Sequence, residues 1–193
     1  MAKDTKQRLL EAGMAMLLQR GYNDLRIQAL LEKTSVPKGS FYHHFKSKED
    51  FTLQIIDQYM EEVHEGLDMC LNDPAIDPLQ RVRKFFELSR EKYRQEGYFG
   101  CLLGGVGQEL SGVNEVFRRR IENCFSYIAN RIAASFSEAR QLGQLASDVD
   151  TREQADLLLN CWEGAALRSR LRRDPAALND VLDFYFGAVA VRN

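Results

Sequence analysis

Prolines are scarce in this chain: Pro37, Pro74, Pro78 and Pro175 are all there are in 193 residues. Each falls where an apolar periodicity is interrupted, which leaves room for long helices between them. The alternating apolar–polar pattern of half-buried strands is missing throughout. So is any apolar run near the roughly 20 residues of a bilayer-spanning helix, which argues against a membrane protein. The N-terminal MAKDTKQRLLEAG has no long apolar stretch and carries an acid early, unlike a secretory signal, so a cytoplasmic chain is expected.

The residues of catalysis and metal binding are thin as well. Cys70, Cys101, Cys124 and Cys161 include no C-x-x-C pair, and their wide spacing gives no zinc framework. In a reducing compartment they are most simply thiols. Only three histidines occur, and His43 and His44 are adjacent. The third, His64, lies six residues from Cys70, which makes no recognised ligand pair. No Ser-His-Asp order and no phosphate-cradling glycine loop is found. An enzyme is disfavoured, and neither a metal nor a cofactor is expected.

What is present reads as helix from end to end. Asp4 and Gln7 resemble a helix start, and Leu9, Leu10, Gly13, Met14, Met16, Leu17 and Leu18 form a broad apolar face with a stop expected at Gly21. A short helix of about eight residues follows through Ile27, Leu30 and Leu31. Another runs from about Lys38 to Phe45 behind Pro37. The fourth opens on the cap pair Ser47 and Asp50 and reaches about Leu71. Beyond DPAIDP come a helix from about Leu79 to Gln95, the glycine-rich turn EGYFGCLLGG into the next, and a long helix from about Val113 to Arg140. Helices from about Thr151 to Leu171 and after Pro175 complete an all-α chain of about nine helices. The expected organisation is an N-terminal unit over 1–50 and a C-terminal unit over 51–193, meeting at the fourth helix with no flexible linker.

Charge is divided unevenly between those parts. Residues 1–50 hold nine Lys/Arg against six Asp/Glu, or +3, and residues 51–193 hold seventeen against twenty-two, or −5. From Lys33 to Lys48 there are four lysines, two histidines, three aromatics and no acid. Two short helices joined by a tight turn, the second of them polar, describe a helix-turn-helix. Its second helix enters the major groove of double-stranded DNA with its N-terminal residues at base edges. Those residues are Lys38, Gly39 and Ser40. Gly39 lets the backbone approach closely, and Lys38 reaches a guanine or a phosphate. Phe41 and Phe45 pack inward, which turns Tyr42, His43 and His44 toward DNA. Lys48, in the first turn of the next helix, is placed for a phosphate.

KGSFYHHFKSKE, residues 38–49, resembles the DNA-binding motif of the TetR (tetracycline-repressor) family, and the upstream LLEAGMAMLLQRGY resembles that family's first helix. Two departures stand out. The family's turn glycine is replaced around Thr34-Ser35, which puts Ser35 in a strained turn conformation. The threonine that often opens the second helix is replaced by Leu25-Arg26, leaving Arg26 for a phosphate and Gln28 for a base. The resemblance implies a palindromic operator, a homodimer built on the last two helices, a small-molecule pocket, and release from DNA when the effector binds.

Leu157, Leu158, Leu159, Cys161 and Trp162 make the penultimate helix apolar over more than one buried stripe needs, in keeping with a dimer, and Ala165, Ala166 and Ala188 permit close helix approach. Tyr98, Phe99, Leu102, Phe117, Ile121, Phe125 and Trp162 are pocket candidates or plain core. Cys101 follows Gly100 and opens a helix, where the dipole favours a thiolate. GCLLGG resembles the subgroup that includes the N-ethylmaleimide-responsive repressors, so Cys101 is either an electrophile or redox sensor or a small packing residue. The remaining cysteines read as packing residues. The competing functions are a thiol-dependent enzyme using Cys101 and a helical protein-binding scaffold; steeply salt-dependent DNA retention separates both from a repressor.

Overall fold

The computed structural model describes residues 5–189, and among them nine helices and no strand are found. They are α1 (Thr5–Asp24), α2 (Ile27–Thr34), α3 (Lys38–His44), α4 (Lys48–Leu71), α5 (Pro78–Gln95), α6 (Leu102–Leu110), α7 (Glu115–Gln141), α8 (Thr151–Arg172) and α9 (Ala176–Val189). The all-α expectation is met. The start read at Asp4 lies outside the described residues. The stop expected at Gly21 is a break and not an end. Gly21 has φ 80° and ψ 177°, a conformation that only glycine adopts readily, and helix resumes to Asp24.

The chain divides into two units. The first takes the residues up to Glu62 together with Leu102–Ile121; the second takes Val63–Cys101 together with the residues from Glu122 on. Two helices, α4 and α7, therefore contribute to both.

In the first unit α1 buries Leu9, Leu10, Met14, Met16, Leu17 and Leu18 on one face, as the 3.6-residue period requires. Gly13 lets this face approach α4: a Cβ there would stand 2.8 Å from Ile55 Cδ1 and closer still to the Phe51 ring. The rings of Phe41, Phe45 and Phe51 meet at centroid distances of 5.1, 5.2 and 4.7 Å. All three are fully buried, and this aromatic cluster seats α3 on α4. The cap read at Ser47 and Asp50 forms: the Asp50 N–H donates to Ser47 Oγ at 3.0 Å, and the Asp50 carboxylate accepts from the Lys46 N–H at 2.8 Å. Glu109 of α6 pins the end of α1, accepting from the N–H groups of Tyr22 and Asn23 at 2.8 and 2.9 Å.

The second unit is organised around Arg81 and Trp162. Buried Arg81 donates to the carbonyls of Ile76 and Leu71 at 2.6 and 3.1 Å and grips Glu138 with two bonds of 2.8 and 2.7 Å, tying the end of α4 and the start of α5 to α7. Trp162 of α8 packs on Phe86 at 4.8 Å and on Tyr93 at 6.1 Å. The Tyr185 hydroxyl of α9 donates to the Gln154 carbonyl at 2.9 Å. Two expectations change here. Ala165 and Ala166 are buried within the unit and so are spent on internal packing, whereas Cys161, expected to pack, is exposed. No helix among the described residues is long and apolar enough to cross a membrane.

Candidate functional site

The turn between α2 and α3 carries the expected strain. Ser35 has φ 53° and ψ 38°, in the left-handed region. The Ser35 N–H donates to the Glu32 carbonyl at 3.3 Å and the Val36 N–H to that of Leu31 at 3.2 Å. This is the bonding of a Schellman cap, with serine where glycine is usual. Arg8 of α1 secures the turn by donating to the Thr34 carbonyl at 2.5 Å. Pro37, extended at φ −60° and ψ 145°, then starts α3.

With Phe41 and Phe45 turned inward, Lys38, Gly39, Tyr42 and His43 are exposed, and Ser40 and His44 are partly so. The Lys38 ammonium lies 6.0 Å from the Tyr42 ring centroid. A Cβ on Gly39 would meet no atom within 4 Å. Nothing in the fold therefore asks for glycine at this position. Arg26 and Gln28 are exposed at the start of α2, where Gln28 donates to Glu32 at 3.0 Å. Lys48 is placed differently. Its ammonium lies 4.3 Å from the centroid of the Tyr22 ring, and burial lowers its pKa despite the opposing charges of Glu109 and Asp24. The aromatic shelf under Lys48 is a feature the sequence reading missed; only the shared polar-aromatic character of Tyr22 hinted at it.

In the second unit the chain makes a turn of unusual backbone just ahead of α6. Gly97, Tyr98 and Gly100 have φ of 85°, 61° and 78°. Three contacts hold this turn to one face of α8. Arg170 donates to the Phe99 carbonyl at 3.2 Å. Gly100 faces Ala166, whose carbonyl oxygen would stand 3.5 Å from a Cβ there. The Cys101 thiol hydrogen-bonds the Glu163 carboxyl. The Glu163 side chain keeps some exposure, but its carboxyl end is closely surrounded, and that desolvation pushes it up to about 7, against the bond to Cys101, which lowers it.

Glu163 also lines a cavity of about 390 Å³ between α7 and α8, whose wall includes Phe125, Ser126, Leu159 and Asn160 and the charged Glu122, Arg152 and Asp156. Arg152 is already engaged by Asp156 at 2.9 Å and Asn130 at 2.6 Å. Of the expected pocket residues, Phe125 alone is in this wall. Tyr98 and Phe99 belong to the turn, and Trp162 to the aromatic cluster with Phe86 and Tyr93. Leu102, Phe117 and Ile121 are buried in the first unit, with Phe117 edge-on to Tyr22 at 5.6 Å. Glu163 was not singled out from the sequence. Its only signal was a lone acid within LLLNCWEGAAL.

A short acid-free helix, seated by phenylalanines behind a capped turn with its polar residues outward, is a helix-turn-helix nucleic-acid-binding unit. The comparisons agree. Residues 9–55 match the model of bacterial regulatory proteins of the tetR family, and residues 78–185 match that of the tetracyclin repressor-like C-terminal domain. The chain is 35% identical over 174 residues to the transcriptional regulator AcuR of Cereibacter sphaeroides, covering 90% of this chain and 80% of AcuR. It is 27% identical over 180 residues to the HTH-type transcriptional repressor NemR of Escherichia coli K12, covering 93% and 90%. A crystal structure of the regulatory protein TetR from Rhodobacter sphaeroides superposes with a TM-score of 0.90 at 33% identity, covering 95% of this chain and 97% of the other. The reduced form of E. coli NemR superposes with a TM-score of 0.85 at 26% identity, covering 97% and 98%. The chain belongs to the TetR family of bacterial transcriptional regulators.

Proposed function

We propose that this regulator is a homodimeric repressor that occupies an inverted-repeat operator and leaves it when a small molecule binds or when Cys101 is modified. The observation that carries the reading is the outward face of α3: Lys38, Gly39 and Tyr42 project from a helix whose buried side is fully used by Phe41. Lys38, Gly39 and Ser40 meet base edges, Tyr42, His43, His44 and Arg26 line the backbone, and Gln28 reaches a base. Lys48 meets a phosphate after leaving the Tyr22 ring. The protein acts in the cytoplasm by binding, with no turnover of its effector.

Dimerisation is supported by the outer face of α8. Leu157, Cys161, Gly164, Leu167 and Leu171 recur at helical spacing and are all exposed, and Phe184 of α9 is 79% exposed. A two-fold pair of helix-turn-helix units reads half-sites about one helical turn apart, or a multiple of that. We assign the effector region to the second unit, at the cavity between α7 and α8 and the turn ending in Cys101. Release requires an effector to prefer the DNA-free arrangement by about 5.5 kcal/mol to move a population from 1:99 to 99:1. A covalent adduct supplies that readily.

The test is a gel shift of the chain on DNA from its own upstream region, at two salt concentrations, with and without electrophiles. Binding that weakens steeply with salt, and is lost on alkylation in the parent but not in Cys101→Ser, supports the reading. Salt-independent retention, or no retention, refutes the DNA-binding part. Release of Cys101→Ser as readily as the parent refutes the sensor part alone. A stable monomer by sedimentation at micromolar concentration, with full operator affinity, refutes the dimer.

A further inference from the structure

We propose that Glu163 is the general base of Cys101: it takes the thiol proton as the sulfur attacks, and the cavity it lines admits uncharged electrophiles in preference to anions. This rests on the reading of Cys101 as the sensing thiol and extends it to the chemistry of the site.

The geometry begins with the turn. Arg170 on Phe99, Ala166 under Gly100 and Glu163 on Cys101 stand seven, three and zero residues along α8 from Glu163, on one helical face. The thiol is thereby fixed against a carboxyl instead of being left to find one. Glu163 also stands in the cavity wall, of which Cys101 is not itself a part, so a molecule in the cavity lies beside the carboxyl that would receive the thiol proton. A base is most effective when its pKa lies near the operating pH, and burial brings this carboxyl up to about 7. Charge in the cavity sets the selectivity. Glu122 from α7 and Asp156 and Glu163 from α8 face it, against Arg152, which Asp156 and Asn130 already engage. With Arg152 set against Asp156, Glu122 and, once ionised, Glu163 leave the wall net negative, and an anion would enter against that charge.

For an alkylating electrophile such as iodoacetamide the step balances without a further reagent. The sulfur lone pair forms the C–S bond, iodide departs with the C–I electrons, and the thiol proton passes to Glu163 and then to water. A fixed carboxylate also has an opposing effect, because its charge disfavours a neighbouring thiolate. The two roles differ in sign. A base speeds alkylation, and a merely repelling charge slows it.

The experiment measures, by mass spectrometry of the Cys101 peptide, the rate of carboxamidomethylation of the full chain between pH 5 and 10. For the parent, the rate is expected to rise with an inflection near pH 7. For Glu163→Gln, folded by circular dichroism, it is expected to be about 10- to 100-fold slower at pH 7.5 and to climb toward the ordinary thiol range near 8.5. Equal or faster alkylation of Glu163→Gln overturns the base role. A second measurement needs no variant: the iodoacetamide to iodoacetate rate ratio at Cys101 should exceed that of the same chain unfolded in urea by about tenfold, and an equal ratio overturns the selectivity. DNA binding of the alkylated chain is scored separately. Retained binding there overturns the sensor reading, while the rates alone decide the role of Glu163.

Discussion

Gly39→Ala separates what the fold needs from what DNA needs at the start of α3. Gly39 is the second residue of a seven-residue helix, and an added Cβ would meet nothing within 4 Å. Within the protein the methyl group is therefore harmless, and alanine loses less backbone entropy on folding than glycine does. The gain is about 0.5–1 kcal/mol in a helix interior, and the lower figure suits so short a helix. For a chain of this length that raises Tm by about 1–4 °C. Against DNA the sign reverses. If α3 lies in the major groove with its N-terminus at the bases, the methyl group holds the backbone off and removes at least one contact. That loss is about 1–3 kcal/mol, or roughly 5- to 150-fold in affinity. The assay is a thermal melt beside fluorescence anisotropy on an operator duplex at fixed salt. Affinity within a factor of about two of the parent would place the α3 N-terminus away from the bases. A lower Tm would show that the fold itself requires glycine.

The other expected outcomes test the turn, the packing, the desolvated acid and the readout. Ser35→Gly should raise stability by about 1 kcal/mol in a denaturant melt, because serine pays for a left-handed φ of 53° that glycine adopts freely; no change would refute a net strain at this turn. Gly13→Ala should lower stability by about 1–3 kcal/mol, since its Cβ would press on the Phe51 ring and Ile55, and a parent-like melt would refute that contact. Glu163 has a folded pKa raised from 4.5 to about 7, so the folded state keeps a proton that the unfolded state has lost. Its contribution to stability should therefore fall as pH rises from 4.5 to 7. Glu163→Gln removes this, and its stability relative to the parent should rise between pH 4.5 and 8 by up to about 3 kcal/mol. A pH-independent difference would refute the raised pKa. Tyr42→Ala and Lys48→Ala should weaken binding to all sequences alike, Lys48→Ala reducing the salt slope by about 1, whereas a Lys38 change should alter preference among operators. Uniform loss on changing Lys38 would make it a phosphate contact.

The helix-turn-helix was legible because its determinants are local. Pro37, the phenylalanines four apart and the Ser47–Asp50 cap each act within a few residues, and so does the strain at Ser35, which follows from a turn that needs a left-handed residue and a sequence that offers no glycine. The starts of α5 and α8 were readable to within about a residue, but the caps that fix them, the Asp77 and Asp150 carboxylates accepting from the first turns, were not singled out. Where meaning depended on a partner remote in sequence, the reading stopped. Apolar residues such as Phe117 and Phe125 look alike in the sequence, yet one packs on Tyr22 and the other lines a cavity. Lys48 looked like a solvated phosphate ligand until Tyr22, 26 residues away, was found beneath it.

The same distinction explains why Cys101 was visible and its partner was not. A glycine–cysteine step before a helix is a local pattern, but it says only that the thiol lies near a helix N-terminus. Reactivity depends on what receives the proton, and the carboxyl proposed for that role comes from α8, 62 residues further along. An acid in the middle of LLLNCWEGAAL is costly to bury unless it is neutral or hydrogen-bonded. Here both conditions apply: burial raises its pKa and the thiol bonds it. Glu163 lines a cavity with part of its side chain exposed, whereas Ala165 and Ala166 on the same helix are buried. A cavity wall does not by itself call for an acid at 163. If Glu163 serves the thiol beside it, the proton between Glu163 and Cys101, more than the cysteine itself, is the quantity on which sensing should turn.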